Sequence, residues 1–225
     1  MFHVEQTASK NDRFSQILLE GATQLGLVLS EPVAAQCLRY FQEVQAWNQK
    51  TNLTAITDEQ EIAVKHFLDS LACSQALAQP GQARLLDVGS GAGFPGIPLK
   101  LMFPELDVTL LEPSQKKTAF LRHIIGTLEL ARTVVIPRRI QELSREPDYQ
   151  AGFTHIITRA VNVGELFPYF LPLLDTSGII ILCRVKPLEK DFPLGTLQIK
   201  LEIAYTLPMG YGARVLTLLE RKASG

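Results

Sequence analysis

A chain of 225 residues, 46% hydrophobic and 20% charged, can bury one sizeable core, and its net charge of −1 argues by itself against strong nucleic-acid affinity. No stretch reaches the roughly 20 apolar residues of a membrane helix, and the polar start MFHVEQTASKND lacks the build of a secretory signal, so a cytoplasmic protein is expected. Cys37, Cys73 and Cys183 are scattered, odd in number and without a C-x-x-C pair, which supports neither a disulfide framework nor a zinc cluster; they read as small core residues, and no metal is expected.

Three helical segments are expected before residue 80. Phe14, Ile17, Leu18, Ala22 and Leu25 recur at steps of three and four, as do Val33, Cys37, Leu38, Phe41, Val44 and Trp47, and then, more loosely, Ile62, Phe67, Leu71 and Leu77. Ser30 is placed as an N-cap with Pro32 just inside its helix, and Gln79-Pro80-Gly81 breaks the pattern. The expected division is a helical element over residues 1–80 packed on a core of residues 81–225.

From residue 84, strand and helix alternate in the manner of a doubly wound α/β sheet. Strands are expected at 84–88, 108–111, 134–136, 155–158 and 179–183, with helices at 97–103, 115–130 and 163–171. Two further β-like runs, 199–207 and 214–219, are joined by Pro208-Met209-Gly210-Tyr211-Gly212. With no room for a helix between them, they should pair antiparallel.

Within this frame the run 85–98, LLDVGSGAGFPGIP, reads as a buried strand turning through a glycine loop into a helix N-terminus. Open α/β sheets bind nucleotide-like ligands at such a turn. In the dinucleotide fingerprint G-x-G-x-x-G the third glycine lets helix and strand approach; here that slot holds the bulky Phe94. Asp87-x-Gly89-x-Gly91-x-Gly93 instead resembles the first motif of the Rossmann-like S-adenosylmethionine-dependent methyltransferases. Their cofactor carries no phosphate, so the loop need only bring bare backbone near it. A mostly parallel sheet that ends in an antiparallel hairpin also matches that class.

Other strand ends add candidates. Glu112 closes the second strand, where a carboxylate can accept from both hydroxyls of a ribose. The third strand end carries Arg138-Arg139-Ile140-Gln141, where a backbone N–H and the Gln141 side chain can hold an adenine edge and Ile140 can cover its face. Arg159 follows the fourth strand and should face the cofactor or the transferred methyl group; pairing with Asp87 or Glu112 beneath the site is compatible with that. His66 and Asp69 stand three apart and share a face if helical; an acid-base pair is one reading, and a hydrogen bond between them on a helix surface is the commoner outcome.

Charge is unevenly spread: five Lys/Arg face nine Asp/Glu in residues 1–80, against 17 and 14 in residues 81–225. Over residues 113–145, Lys116, Lys117, Arg122, Arg132, Arg138, Arg139 and Arg145 face only Glu129 and Glu142, so a polyanion can dock beside the glycine loop.

In chain order, Asn52-Leu53-Thr54, His66 with Leu68-Asp69-Ser70, the loop from Asp87 with its Phe94-Pro95-Gly96-Ile97-Pro98 ending, Leu110-Leu111-Glu112, Phe120-Leu121-Arg122 and Arg159-Ala160 resemble the glucose-inhibited division protein B family of small-subunit ribosomal RNA methyltransferases. The likeness runs from about residue 47 to residue 159, with weaker echoes to residue 219. It implies S-adenosylmethionine-dependent methylation of N7 of one guanine in 16S ribosomal RNA, free or within the small subunit. It also implies that Gly89, Phe94, Ile140, Gln141 and Arg159 contact the cofactor. The chain departs from the family at Gln141, where Glu is frequent, and at Arg184-Val185-Lys186, which replaces a usual Lys-Gly pair and leaves either cation to take that place. Guanine N7 has an exposed lone pair and no proton, so transfer needs alignment rather than a base, with neither metal nor covalent intermediate. Lys116, Lys117, Arg122, Arg138, Arg139, Arg184 and Lys186 are the expected RNA contacts, and a monomer is expected. The competing readings are a methyltransferase for another substrate, a non-catalytic RNA-binding relative, and a nicotinamide-dependent oxidoreductase, which Phe94 disfavours.

Overall fold

The computed structural model describes residues 4–159 and 163–223, with side chains from residue 13 onward; Ala160 of the Arg159-Ala160 pair lies outside them. Two long helices lead, α1 (Val4–Gln24) and α2 (Glu31–Thr51). Ser30 occupies the N-cap position of α2 with Pro32 in the first turn, although its side chain makes no capping bond, and Asn52 ends the helix in the left-handed region at φ 49°. The short α3 (Glu59–Ile62), capped by the Asp58 carboxylate accepting from Glu61 N–H, then runs through a π-helical turn, Ala63–Leu68, into α4 (Asp69–Ala72). The loose apolar spacing of this stretch has its cause in that turn, because i→i+5 winding departs from the three-and-four step of an α-helix.

The sheet follows: β1 (Arg84–Val88), α5 (Gly96–Met102), β2 (Asp107–Leu111), α6 (Gln115–Thr127), β3 (Thr133–Ile136), α7 (Ile140–Leu143) and β4 (Phe153–Thr158). After it come α8 (Phe167–Leu173), β5 (Leu174–Arg184), β6 (Leu197–Thr206) and β7 (Ala213–Arg221). The seven strands lie in the order β3-β2-β1-β4-β5-β7-β6. All pairs are parallel except β5 with β7 and β6 with β7. This is the expected doubly wound sheet with its antiparallel C-terminal pair, β7 inserting between β5 and β6. The four-residue α7 carried no periodic signal in the sequence.

Alternation along the strands divides the core into two layers. Leu85, Ile157 and Ile181 pack on the side of α1, α2, α5 and α6, whereas Leu86, Ile156 and Ile180 pack on the side of α7 and α8. The N-terminal helices share the first of these layers outright. Phe14 stacks on Phe41 at 4.3 Å between ring centres, and Tyr40 of α2 stacks on Phe94 of the glycine loop at 5.1 Å. Fully burying such a side chain contributes about 1.5–3 kcal/mol, so these helices help to hold the loop they cover. Strand order reverses between β1 and β4, whose C-terminal residues Val88 and Thr158 are register partners, and that reversal opens the crevice in which sheets of this kind bind ligands.

Candidate active site

The glycine loop leaves β1 at this crevice. Gly89 N–H and Ser90 N–H donate to Leu111 C=O at 2.9 and 3.2 Å, turning the chain over the end of β2. Gly89 (φ +74°) has nothing within 4 Å of where a Cβ would stand, so bare backbone faces an open pocket of about 180 Å³. Leu53, Thr54, His66, Ser90, Gly91, Ala92, Phe94 and Arg159 complete its lining. Gly93 (φ +97°) is different in kind: a Cβ there would lie 2.4 Å from Ile97 Cδ1 and 2.7 Å from Tyr40 Oη, and the Tyr40 hydroxyl donates to Ala92 C=O.

Two carboxylates hold the loop from below. Asp87 is 1% exposed, and its Oδ2 accepts from Gly96 N–H at 2.9 Å at the start of α5. Burial pushes its carboxyl up to about 7, while the Gly96 bond and the nearby Arg159 pull it back. Glu112, also buried, accepts from Gly91 N–H and Ser114 N–H, both at 2.9 Å. Its two oxygens offer about four lone-pair sites, so capacity for two further donors is left. Beyond β3, Ile140 is buried, and the half-buried Gln141 amide has no side-chain partner among the described residues.

The opposite wall comes from the π-helical turn. Arg159, at the end of β4, donates from Nη2 to Lys65 C=O at 3.1 Å and pairs with Asp69 Oδ2 at 3.0 Å. The 5%-exposed Asp69 also accepts from Tyr205 Oη at 2.8 Å and lies 3.7 Å from Arg214 Nε, which binds the C-terminal hairpin to the site. The carboxylate partner of Arg159 is therefore Asp69 rather than Asp87 or Glu112. The expected His66–Asp69 hydrogen bond is not formed either, because the π-turn removes the i, i+3 alignment of an α-helix. His66 Nε2 instead meets Thr54 Oγ1 at 2.8 Å, and its ring stacks on Phe94 at 4.9 Å. Burial first, then the charges of Arg159 and Lys65, lower its pKa to about 4, so the imidazole is neutral near pH 7. Sequence reasoning did not place Thr54, Lys65 C=O, Tyr205 or Arg214 here. Only the Asn52-Leu53-Thr54 and His66-to-Ser70 motifs pointed to this wall.

The cations fall into two groups. Lys116 and Lys117 open α6, Arg138 and Arg139 follow β3, and Arg184 and Lys186 end or follow β5, so all six lie at the C-terminal edge of the parallel strands with the glycine loop. Arg122 is exposed two turns along α6. Arg138 is paired with Glu146 at 2.6 Å, and Arg184 Nε donates to Lys186 C=O at 3.1 Å. Arg132 belongs to the opposite edge, where Asp107 and Glu105 hold it at 2.5 and 3.2 Å. Cys73 and Cys183 share an S–H···S hydrogen bond at 3.5 Å and form no disulfide. Among the described residues no group of three His, Cys, Asp or Glu is placed to hold a metal ion, and no helix is long and apolar enough to cross a membrane.

Residues 34–206 match the family model described as rRNA small subunit methyltransferase G. A relative of that name from Roseiflexus castenholzii is 45% identical over 162 residues, 72% of this chain and 69% of the relative. One from Pelotomaculum thermopropionicum is 38% identical over 178 residues, 79% and 74% of the two chains. Among solved structures, a SAM-dependent methyltransferase from Aquifex aeolicus aligns with a TM-score of 0.56 at 14% identity, over 75% of this chain and 96% of that one. TYW2 of Pyrococcus horikoshii, in complex with MeSAdo, aligns with a TM-score of 0.52 at 16% identity, over 67% and 61%; at such identities the likeness is one of fold.

Proposed function

The chain belongs to the rRNA small subunit methyltransferase G family, and from that premise we propose that it transfers a methyl group from S-adenosylmethionine to N7 of a guanine in 16S ribosomal RNA. The observation that carries the reading is the pocket at the β1–β4 crevice, where the unobstructed backbone of Gly89 and the neutral His66–Phe94 stack face Arg159. When bound, S-adenosylmethionine supplies an electrophilic methyl group on a cationic sulfur.

The residues fit such a group. Gly89 and Gly91 leave room that a Cβ would fill, Glu112 retains acceptor capacity for a pair of ribose hydroxyls, and Gln141 offers an amide without a side-chain partner among the described residues, with Ile140 beside it. Phe94 and the neutral His66 give the pocket an apolar, uncharged wall. Arg159 keeps its cation at the pocket rim because Lys65 C=O and Asp69 fix the guanidinium in place. From there it can donate hydrogen bonds to an incoming electron-rich acceptor. No proton need be removed from N7, so the task of these groups is to orient two reactants and exclude water. Such orientation is worth about 7–11 kcal/mol in favourable cases.

Lys116, Lys117, Arg138, Arg139, Arg184 and Lys186, along the sheet edge that carries the pocket, and Arg122 two turns along α6 supply the phosphate contacts of this reading. The test is incubation with methyl-labelled S-adenosylmethionine and either small subunits or naked 16S RNA lacking the modification, followed by chemical cleavage at 7-methylguanine. Label at one guanine is expected. Absence of label in RNA while a control methyltransferase works overturns the reading, and thermal stabilisation by NAD instead of S-adenosylmethionine returns the oxidoreductase.

A further inference from the structure

Next to the pocket lies a second, larger cleft of about 480 Å³, framed by α2 and the segment that follows it. The two cavities have Thr54 in common as a lining residue, and Thr54 Oγ1 is the group that meets His66 Nε2. Thr54 is thus the partition between them. Resting on the function proposed above, we infer that this cleft receives a nucleobase of the RNA strand that is methylated.

The chemistry of the lining selects the ligand. Gln45, Asn48, Gln49 and Asn52 come off one face of α2 and its C-cap at steps of three and four, so four carboxamides converge on the same space. Among the described residues no lysine, arginine, aspartate or glutamate lines it, which disfavours a phosphate, a carboxylate or a charged peptide side chain. The buried Val44 and Ile62 form an apolar floor. An uncharged planar group with both donors and acceptors on its edge is what such a site suits, and carboxamides pair with base edges through two hydrogen bonds at once. RNA bases that are read this way are unstacked ones from loops and single strands.

The amides are free to act. Asn48 uses its Oδ1 to accept from Thr54 N–H at 2.9 Å, which leaves its two N–H donors for a ligand and fixes Thr54 at the partition. Gln45, Gln49 and Asn52 are exposed and have no side-chain hydrogen-bond partner among the described residues. The cations of the sheet edge hold phosphates, while this cleft holds a base without charge. That division separates backbone positioning from base readout.

The double variant Q45A/Q49A tests the inference, since both side chains are exposed on α2 and their loss leaves the core intact. A second variant, Asn48→Asp, keeps the acceptor for Thr54 N–H and replaces the donor amide by a carboxylate that repels base acceptors. Steady-state transfer to 16S RNA and equilibrium binding of S-adenosylmethionine are measured side by side. Both variants should raise KM for RNA about tenfold, the effect of losing about 1.4 kcal/mol of binding, while S-adenosylmethionine affinity stays within about twofold. An unchanged KM for RNA overturns the base pocket and leaves the methyltransferase reading standing. Weakened S-adenosylmethionine binding with unchanged KM for RNA also overturns it, by giving the cleft to the methyl donor. A wild-type protein that labels no RNA overturns the function on which the inference rests.

Discussion

Arg159 and Asp69 lie 90 residues apart in sequence and meet at 3.0 Å, with Asp69 almost wholly enclosed and Lys65 C=O taking a second bond from the same guanidinium nitrogen. Asp69→Asn leaves the Arg159 and Arg214 cations with a neutral partner. Loss of one member of a buried pair costs about 3 kcal/mol, and misplacing a positioned group costs about a hundredfold in rate. Asp69→Asn should therefore lower both the urea midpoint and kcat, and Arg159→Ala should abolish transfer. His66→Ala, which removes a neutral stacking ring, should keep much of the activity. A His66→Ala enzyme as dead as Arg159→Ala, with cofactor affinity intact in both, would place the catalytic face elsewhere.

Alanine at Gly89 and at Gly93 should fail in different ways. Both residues sit at positive φ, a conformation that costs an L-residue about 1–2 kcal/mol. At Gly89 that is the whole structural cost, because the new methyl meets no protein atom and points into the open pocket. Gly89→Ala should fold, with a modestly lowered Tm, and lose S-adenosylmethionine affinity. At Gly93 the methyl strikes Ile97 and Tyr40, so unfolding should occur several degrees lower still. Calorimetry and ligand titration on the two variants separate these outcomes; equal stability losses would mean that Gly93 has no packing role.

The glycine loop, the strand-end acid Glu112 and the parallel sheet were legible because each is a local pattern: alternation, spacing or a turn signature. Asp87 was legible as a motif residue, yet its place beneath the loop follows from Gly96, whose missing Cβ lets the carboxylate reach the N–H. The wall made by Lys65, His66 and Asp69 was hidden for a physical reason. A π-turn has no distinctive composition, and α-helical spacing assigned the wrong neighbours to both His66 and Asp69. Tyr205 and Arg214 reach the site only through the antiparallel insertion of β7, a long-range event that no local spacing encodes. Arg132 illustrates the converse, since a charge count along the chain grouped it with cations that lie at the other edge of the sheet.

Asp87 and His66 should give stability opposite pH slopes in overlapping windows. The folded value of Asp87, about 7, lies above its ordinary 3.8, so the folded chain binds that proton more tightly and loses stability as pH rises from about 3.8 to 7. His66 is shifted from 6.5 to about 4, so the unfolded chain binds the proton more tightly and stability is lost as pH falls from 6.5 to 4. Relative to wild type, Asp87→Asn should gain stability as pH rises through this range, and His66→Gln should gain as pH falls. Each slope approaches about 1.4 kcal/mol per pH unit at most. Urea midpoints of the three proteins from pH 4 to pH 7.5 measure it, and parallel curves would sink the assignment.

Cations that hold phosphates release counterions, so their number sets the salt dependence of RNA binding. Among the described residues Lys116, Lys117 and Arg139 have no acidic partner to compete with RNA: Arg139 stands exposed beyond β3, while its neighbour Arg138 is already engaged by Glu146. Replacing each of the three by Ala should reduce the slope of log K against log salt by about 0.7–0.9, additively, while weakening all RNA sequences alike. Arg138→Ala should change the slope less, because its guanidinium is already engaged by Glu146 and so neutralises less of a phosphate than a free cation does. Arg132→Ala, at the far edge of the sheet, should leave the slope unchanged and lower stability through Asp107. Filter binding of a 16S fragment at several salt concentrations reads all five variants. A slope lowered as much by Arg132→Ala as by Lys116→Ala would move the RNA off the glycine-loop edge.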